Sequence, residues 1–399
     1  MPDRWVTLGL ITLGHALGSF SVLSVVPLSP FLLDALDMSR RQVGLLLPAI
    51  YLGGVLMSLP AGWLTDRLGV RTTLVLGQTV TGLMLGLAAV SPSFPALLGL
   101  LCLAGFGWSV VNPASGKAII ESFPPRERGL AMGTKQTGLT LGGIASALIL
   151  PPLALAEGWR VALAVAAAVS LASAALVALV YRSPGGPFAE MPTDRPRLGE
   201  LQSFLLRPAL LVLFACGLAL SVVQSSVLSY LVLYAKEALG YSVVAAGRLL
   251  ALAQVGGTAA RFGWGFLSDR FFGGRRRPGL IINALIGATA YAVFALLERA
   301  VAGVVGPLAV IAGAAAFGWM GLYLALVAEV GGARYAGLLT GVAMTFAWSG
   351  VLVGPPIFGV ALEATGSYRL PWLTLSAVAV LVGVALQRLR PLVQRGSSS

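Results

Sequence analysis

Acidic side chains are scarce in this chain, with 15 Asp and Glu against 27 Lys and Arg in 399 residues, and charged residues of both signs make up only 11%. A soluble domain carries roughly 25% charged residues, so water is excluded as the main solvent. Cysteine is nearly absent. Cys102 and Cys216 lie far apart inside apolar stretches, and the only histidine, His15, is near neither. That pattern excludes a disulfide framework and a metal site, and both thiols read as buried structural groups. Nucleophile elbows, phosphate loops and metal-ligand clusters are missing as well, so neither an enzyme nor a cofactor is expected. A long soluble segment is also lacking, which speaks against a receptor with a signalling domain.

What is abundant is apolar: 57% of the residues are hydrophobic and fifty are glycine. A helix needs about 20 mostly apolar residues to cross the hydrocarbon layer. Stretches of that kind predict helices at 5–33, 41–65, 71–90, 95–122, 127–156, 159–181, 206–236, 242–271, 278–297, 303–330, 335–364 and 368–388. The expected fold is therefore an all-α membrane protein of twelve spans. The first stretch has no small-residue cleavage site and reads as a retained span rather than a signal peptide. Residues 396–399 read as an appended tail.

The net charge of +12 does not point to nucleic acid, because the basic residues form no patch with interleaved aromatics. They alternate between the two ends of the spans. Arg67, Arg71, Arg126, Arg128, Arg182, Arg195, Arg197, Arg270, Arg275, Arg276, Arg277, Arg334, Arg388, Arg390 and Arg395 fall at one end; Arg40, Arg41, Arg160, Lys236, Arg299 and Arg369 fall at the other. By the positive-inside rule the Arg-rich end is cytoplasmic. Both termini are then cytoplasmic, in a multi-pass inner-membrane protein surrounded by lipid.

The Pro-rich segment 182–205 reads as a linker between six-helix bundles at 1–181 and 206–395. Repeats support the division. Gly62-Trp63-Leu64-Thr65-Asp66-Arg67 returns 203 residues later as Gly265-Phe266-Leu267-Ser268-Asp269-Arg270, and Ser21-Val22-Leu23-Ser24 returns 205 later as Ser226-Val227-Leu228-Ser229. Arg126, Gly129-Leu130 and Gly133 return 208 later as Arg334, Gly337-Leu338 and Gly341. Three matches in one order argue for duplication, and two parallel halves around a central cavity are a known transporter plan.

The run Gly62-x-Leu64-x-Asp66-Arg67-x-Gly69-x-Arg71, with its degenerate copy at Asp269-Arg270, resembles the signature loop of the major facilitator superfamily. The resemblance implies secondary transport by alternating access. It also implies a conformational latch made by Gly62, Asp66, Arg67, Arg71, Arg126, Asp269 and Arg270, with Asp66 paired to an Arg such as Arg126 or set at a helix amino end. The plain alternative for Asp66 is a charged cap that fixes topology. Gly62 and Gly265 are expected to let helices approach closely. The Arg-Gln-Gly pattern of proton-coupled members in the fourth span is absent, since Leu101 to Gly107 contain no Arg. Arg261-Phe262-Gly263-Trp264-Gly265 and Gly354-Pro355-Pro356-Ile357-Phe358-Gly359 instead resemble the branches that carry monocarboxylates and oxalate.

Ionisable residues deep in a membrane are functional candidates by default. Arg261 and Lys135 each lie eight residues from a charged span end, about 12 Å at 1.5 Å per residue and close to the midplane. His15 reaches a similar level. No carboxylate is as deep: Asp34, Glu121, Glu329 and Glu363 lie near predicted helix ends, so an anionic substrate is expected to balance the cations. Arg261, Lys135, His15, Gln136, Gln254, Asn112, Tyr230 and Tyr323 are the candidate binding residues, with Gln224, Trp319 and Trp348 as further cavity residues. For the amides and aromatics, helix packing is the plain alternative. Arg261 has a second reading as a structural partner of helix carbonyls. His15 is the candidate proton carrier, with a packing role as its alternative, and Lys117 and Glu121, four apart, read as a local ion pair. The expected function is transport of a small organic anion, a monocarboxylate by resemblance, with proton symport as its coupling. Anion exchange and proton-driven efflux of drugs or metabolites are the alternatives, and a monomer is expected.

Overall fold

A computed structural model of the protein describes residues 4–182, 207–297, 299, 301 and 303–389, without the side chains at 58, 59, 125, 126 and 331–338. The expected linker from residue 183 onward and the tail at 396–399 lie outside those residues. The elements are α1 Arg4–Val22, a 3₁₀ turn at Leu23–Val25, α2 Ser29–Ala35, α3 Arg40–Ala89, α4 Phe94–Ser109, α5 Val111–Ser122, α6 Pro125–Glu157 and α7 Trp159–Val180. They continue with α8 Pro208–Glu237, α9 Val243–Phe271, α10 Arg276–Leu296, α11 Val305–Gly318, α12 Met320–Thr365 and α13 Arg369–Arg388. Among the described residues eleven stretches are long and apolar enough to cross a membrane. The remaining expected span, 41–65, is the first arm of α3. That arm opens on a capping box, in which Ser39 Oγ accepts from the Gln42 amide and Gln42 Oε1 accepts from the Ser39 amide, so two of the helix's orphan donors are satisfied.

Three departures from the expected spans matter. The loop expected between 65 and 71 is a kink inside α3 at Gly69, whose φ of 78° is a conformation other residues avoid. The spans expected at 303–330 and 335–364 likewise run together through α12. Conversely, the expected 95–122 span is divided at Val110 between α4 and α5, and the 303–330 span at Trp319 between α11 and α12, with right-handed helical angles kept at both residues. Periodicity could not show these breaks, because both halves of each span are apolar.

The chain forms two compact units, Met1–Met191 with Ser242–Ala251 and Pro192–Tyr241 with Leu252–Ser399. The first turns of α9 join the first unit because Gly247 lets their backbone approach α6: a Cβ there would lie 2.5 Å from the Ala147 carbonyl oxygen. Inside each unit the same device recurs. A Cβ on Gly53 would lie 1.9 Å from the Cys102 carbonyl oxygen, and one on Gly105 would lie 1.9 Å from that of Ile50. In the second unit the corresponding distances are 2.1 Å from Gly256 to Val310 and 1.9 Å from Gly313 to Ala253. The partners are 203 residues apart along α3 and α9, and 208 apart along α4 and α11, the offsets already seen in the sequence repeat. A second pair of crossings matches as well. Gly138 and Gly142 of α6 meet the Thr12 and Ala16 carbonyls of α1, while Gly350 and Gly354 of α12 meet those of Leu218 and Val222 on α8.

Gly62 and Gly265 are a correction to the sequence reading. A Cβ on either would meet nothing within 4 Å, so the close approach belongs to Gly53, Gly105 and their repeats. Forcing a methyl group into a closed contact costs about 1–3 kcal/mol. Gly105→Ala and Gly313→Ala should therefore each lower the thermal unfolding midpoint in detergent by several degrees, while Gly62→Ala should not. Equal midpoints for all three would contradict the packing described.

Candidate functional site

Lys135 is carried on α6 by the helical phase that also places Gly138 and Gly142 against α1, and it is only 3% exposed. Its Nζ donates to Asn112 Oδ1 at 3.1 Å, and among the described residues no carboxylate is paired with it. Asn112 stands two residues beyond the break at Val110, where α5 starts. An ammonium held this way is expensive, since desolvating an ion costs several kcal/mol and one amide oxygen offsets only part of that. His15 on α1 is 1% exposed, and its ring centroid lies 5.4 Å from that of Trp108 in the last turn of α4. Thus α1, α4, α5 and α6 bring three of the expected residues, Lys135, Asn112 and His15, to the neighbourhood of one helix break. Gln136, the next residue round α6, is exposed.

The second unit has its own cation at its own break. Arg261 on α9 is half-buried, and its Nε donates to the Phe317 carbonyl oxygen at 2.9 Å. Phe317 is in the last turn of α11, where carbonyls lack intrahelical donors and the helix dipole favours a positive charge. The alternative reading of Arg261 as a partner of a helix carbonyl therefore describes one of its contacts. Gln254 is 4% exposed, and its carbonyl accepts from Thr258 Oγ1 at 2.8 Å. Trp319 Nε1 donates to Gln224 Oε1 at 2.9 Å. Tyr323 lies edge-on to Trp319 with centroids 5.3 Å apart and covers Gly217; Tyr230 stacks on Phe358 at 4.4 Å. Both tyrosines are 0% exposed.

Sequence reasoning missed one polar network. Trp264 Nε1 donates to Asn283 Oδ1 at 2.9 Å, and Asn283 Nδ2 donates to the Ala315 carbonyl at 2.9 Å, tying α9, α10 and α11 together. In the first unit, Gln78 stands 205 residues earlier. It donates to the Gly14 carbonyl at 3.1 Å and accepts from Ser170 at 3.0 Å. An amide at one repeat offset from another amide was the available signal.

At the Arg-rich ends, charged contacts join neighbouring helices. Asp66 pairs with Lys117 at 2.8 Å; the side chain of Arg126 is outside the described residues. Lys117 therefore serves the signature loop and also interacts electrostatically with Glu121, four residues along. Its Nζ is within reach of the Thr65 carbonyl at 3.5 Å as well. Arg71 donates to the Ala178 carbonyl at the end of α7, and Arg67 lies over the Trp63 ring at 5.2 Å. In the second unit Arg276 bridges Asp269 at 2.7 Å and Glu329 at 3.4 Å, and Arg270 is exposed.

Residues 8–355 match the family model of the Major Facilitator Superfamily. The chain belongs to the Major Facilitator Superfamily. It is 25% identical over 389 residues to the hexuronate transporter of Bacillus subtilis, covering 94% of this chain and 91% of that one. It is also 25% identical over 419 residues to a probable sulfoacetate transporter of Cupriavidus necator, covering 98% and 95% of the two chains. Among solved structures it is similar to a bacterial homologue of the human lysosomal transporter Spinster in an inward-facing, unoccupied conformation, with a TM-score of 0.79, 19% identity and coverage of 98% and 96%.

As a member of this superfamily the chain is a multi-pass membrane transporter and not an enzyme. The charged contacts of its signature loop and the buried amide network should weigh differently in stability. Asp66 and Asp269 are largely exposed, so each pair contributes at most about 1 kcal/mol. Leaving the Trp264 indole and the Ala315 carbonyl unpartnered costs about 1–3 kcal/mol per group. Asp66→Asn should leave the unfolding midpoint nearly unchanged, whereas Asn283→Leu should lower it clearly; the reverse order would refute this ranking.

Proposed function

We propose that this transporter carries a small organic anion by alternating access in symport with a proton, with Lys135 in the first unit and Arg261 in the second each a group for the anion to meet. The observation that carries the reading is Lys135: a 3% exposed ammonium that donates to a neutral amide oxygen at 3.1 Å. A bound carboxylate offsets the desolvation that Asn112 alone cannot. Arg261 adds a fork suited to two parallel hydrogen bonds with a carboxylate, while its Nε keeps the Phe317 carbonyl. The hexuronate and sulfoacetate relatives support an anionic cargo, and a monocarboxylate remains the expected class. Gln254 and Gln224 are candidates for its uncharged polar groups.

A co-transported proton offsets the charge of such a substrate, and His15, beside Trp108, is the candidate that carries it. The signature-loop contacts Asp66–Lys117 and Asp269–Arg276–Glu329 are proposed as the latch that must open in each transport cycle.

The test is uptake of labelled lactate, pyruvate, oxalate, benzoate, glucuronate and sulfoacetate into proteoliposomes, with and without an inward proton gradient. Lys135→Ala and Arg261→Ala should each reduce accumulation of the transported anion about 100-fold or more. Asn112→Asp provides the sharper case. It places a carboxylate where Oδ1 now meets Lys135 Nζ, so it should abolish uptake while the protein folds as well as before. Normal anion uptake by Asn112→Asp, or by both alanine variants, would overturn the proposal.

A further inference from the structure

The first unit encloses a chamber beside the Lys135–Asn112 contact, walled by α1, the second arm of α3, α5 and α7, with room for about one water molecule. Four polar side chains line it, His15, Gln78, Ser115 and Tyr181, and each is 2% exposed or less. Gln78 is committed to Gly14 and Ser170. Ser115 gives its hydrogen to the Val111 carbonyl, which leaves it acceptor capacity toward the chamber. The Tyr181 hydroxyl is sealed from solvent with no hydrogen-bond partner among the described residues. Tyr181 follows the last turn of α7, so it stands at the Arg-rich end of the unit while His15 stands deep.

Beyond Tyr181 lies Glu121 in the last turn of α5, and its Oε2 is likewise buried without a hydrogen-bond partner. Burial first, and then the negative charge of Glu121, raise the pKa of the Tyr181 phenol. It stays an O–H donor at any physiological pH.

We propose that this chamber is the proton exit of the transporter, in which a water joins the His15 imidazole to the Tyr181 hydroxyl and so to Glu121 at the Arg-rich end. The inference rests on the reading of the chain as a proton-coupled anion symporter with His15 as carrier. In the step itself, the imidazolium N–H passes its proton to the water and the water passes one of its own to the Tyr181 oxygen. The phenol's proton moves to the Glu121 carboxylate, which returns it to solvent. The imidazole ends neutral and the water and phenol end unchanged.

The titratable and charged groups on the elements packed around His15 are Arg4 on α1, Arg40, Arg41, Tyr51, Asp66, Arg67 and Arg71 on α3, Cys102 on α4, and Lys117 and Glu121 on α5. Arg126, Glu127, Arg128, Lys135 and Glu157 on α6, with Arg160 on α7 and Tyr181 after it, complete the set. Of these, Lys135 is one turn from Gly138, whose added Cβ would lie 3.1 Å from His15 Cβ. A bare Lys135 opposes a second positive charge on His15, and an anion held by Lys135 removes that opposition. Departure of the anion then drives the proton into the chamber, which couples the two movements without requiring them to share a path.

His15 is the only histidine in the chain, so its imidazole is read without assignment by NMR of [¹⁵N]histidine-labelled protein in liposomes. Two variants address the chamber. Tyr181→Phe removes the hydroxyl and keeps the ring. Gly14→Ala fills the space, since its Cβ would approach Ser173 and Val177 no closer than 3.8 Å. Both should slow exchange of the imidazole proton with water about tenfold or more. Exchange within about twofold of the parent in both variants would overturn the chamber as the route. The symport reading fails separately, if the parent takes up anions with no accompanying proton flux reported by entrapped pyranine.

Discussion

Hydrocarbon neither hydrogen-bonds to a backbone nor drives apolar helices together, so helix pairs in this protein are held by how closely their backbones can approach. The rest of the architecture hangs on four glycine–carbonyl crossings, two in each unit. Gly53 with Gly105 clamps α3 to α4, and Gly256 with Gly313 clamps α9 to α11. In both cases the clamped helix ends within one or two turns of the clamp, at Val110 and at Trp319. Each unit's deep cation contacts the span that breaks: Lys135 reaches Asn112 just after one break, and Arg261 reaches Phe317 just before the other.

The duplication preserved this frame but not the charges on it. Glycines and their carbonyl partners repeat at the offsets 203 and 208 in one crossing and at 212 and 206 in the other, while the position 208 after Lys135 is Ala343, the position 212 after it is Ala347, and the position 203 before Arg261 is Ser58. His15 has Leu220 as its counterpart 205 residues later. A glycine in a backbone contact tolerates no side chain, so both copies must keep it. A buried charge is costly wherever nothing balances it. Such charges therefore stand once each, on α6, α9 and α1, at places that the repeat itself does not dictate.

The exposed ends follow a looser rule. Lys117 offers Asp66 a point charge, while Arg276 offers Asp269 and Glu329 a planar fork. Two solutions coexist because the energy at stake is small and solvent-screened. The same freedom explains why Asp66 is met by Lys117 from a neighbouring helix. Several cations lie within reach of a flexible end, and spacing along one helix does not say which neighbouring helix brings a competitor.

Composition alone determined that this chain lives in a membrane, because apolar stretches of spanning length leave no other solvent for it. The internal repeat determined that it is built twice, and the scarcity of deep carboxylates against Lys135, Arg261 and His15 singled out the cationic sites. Tertiary structure decided what those residues touch. Lys135 and Asn112 are 23 residues apart, Arg261 and Phe317 are 56 apart, and Gln224 and Trp319 are 95 apart. Each meeting depends on the rotation of two apolar helices whose faces hydropathy cannot tell apart. The breaks at Val110 and Trp319 were hidden for the same reason. An interrupted span has the same composition as a continuous one, and Val110 and Trp319 keep right-handed helical angles, so only the folded chain marks the place.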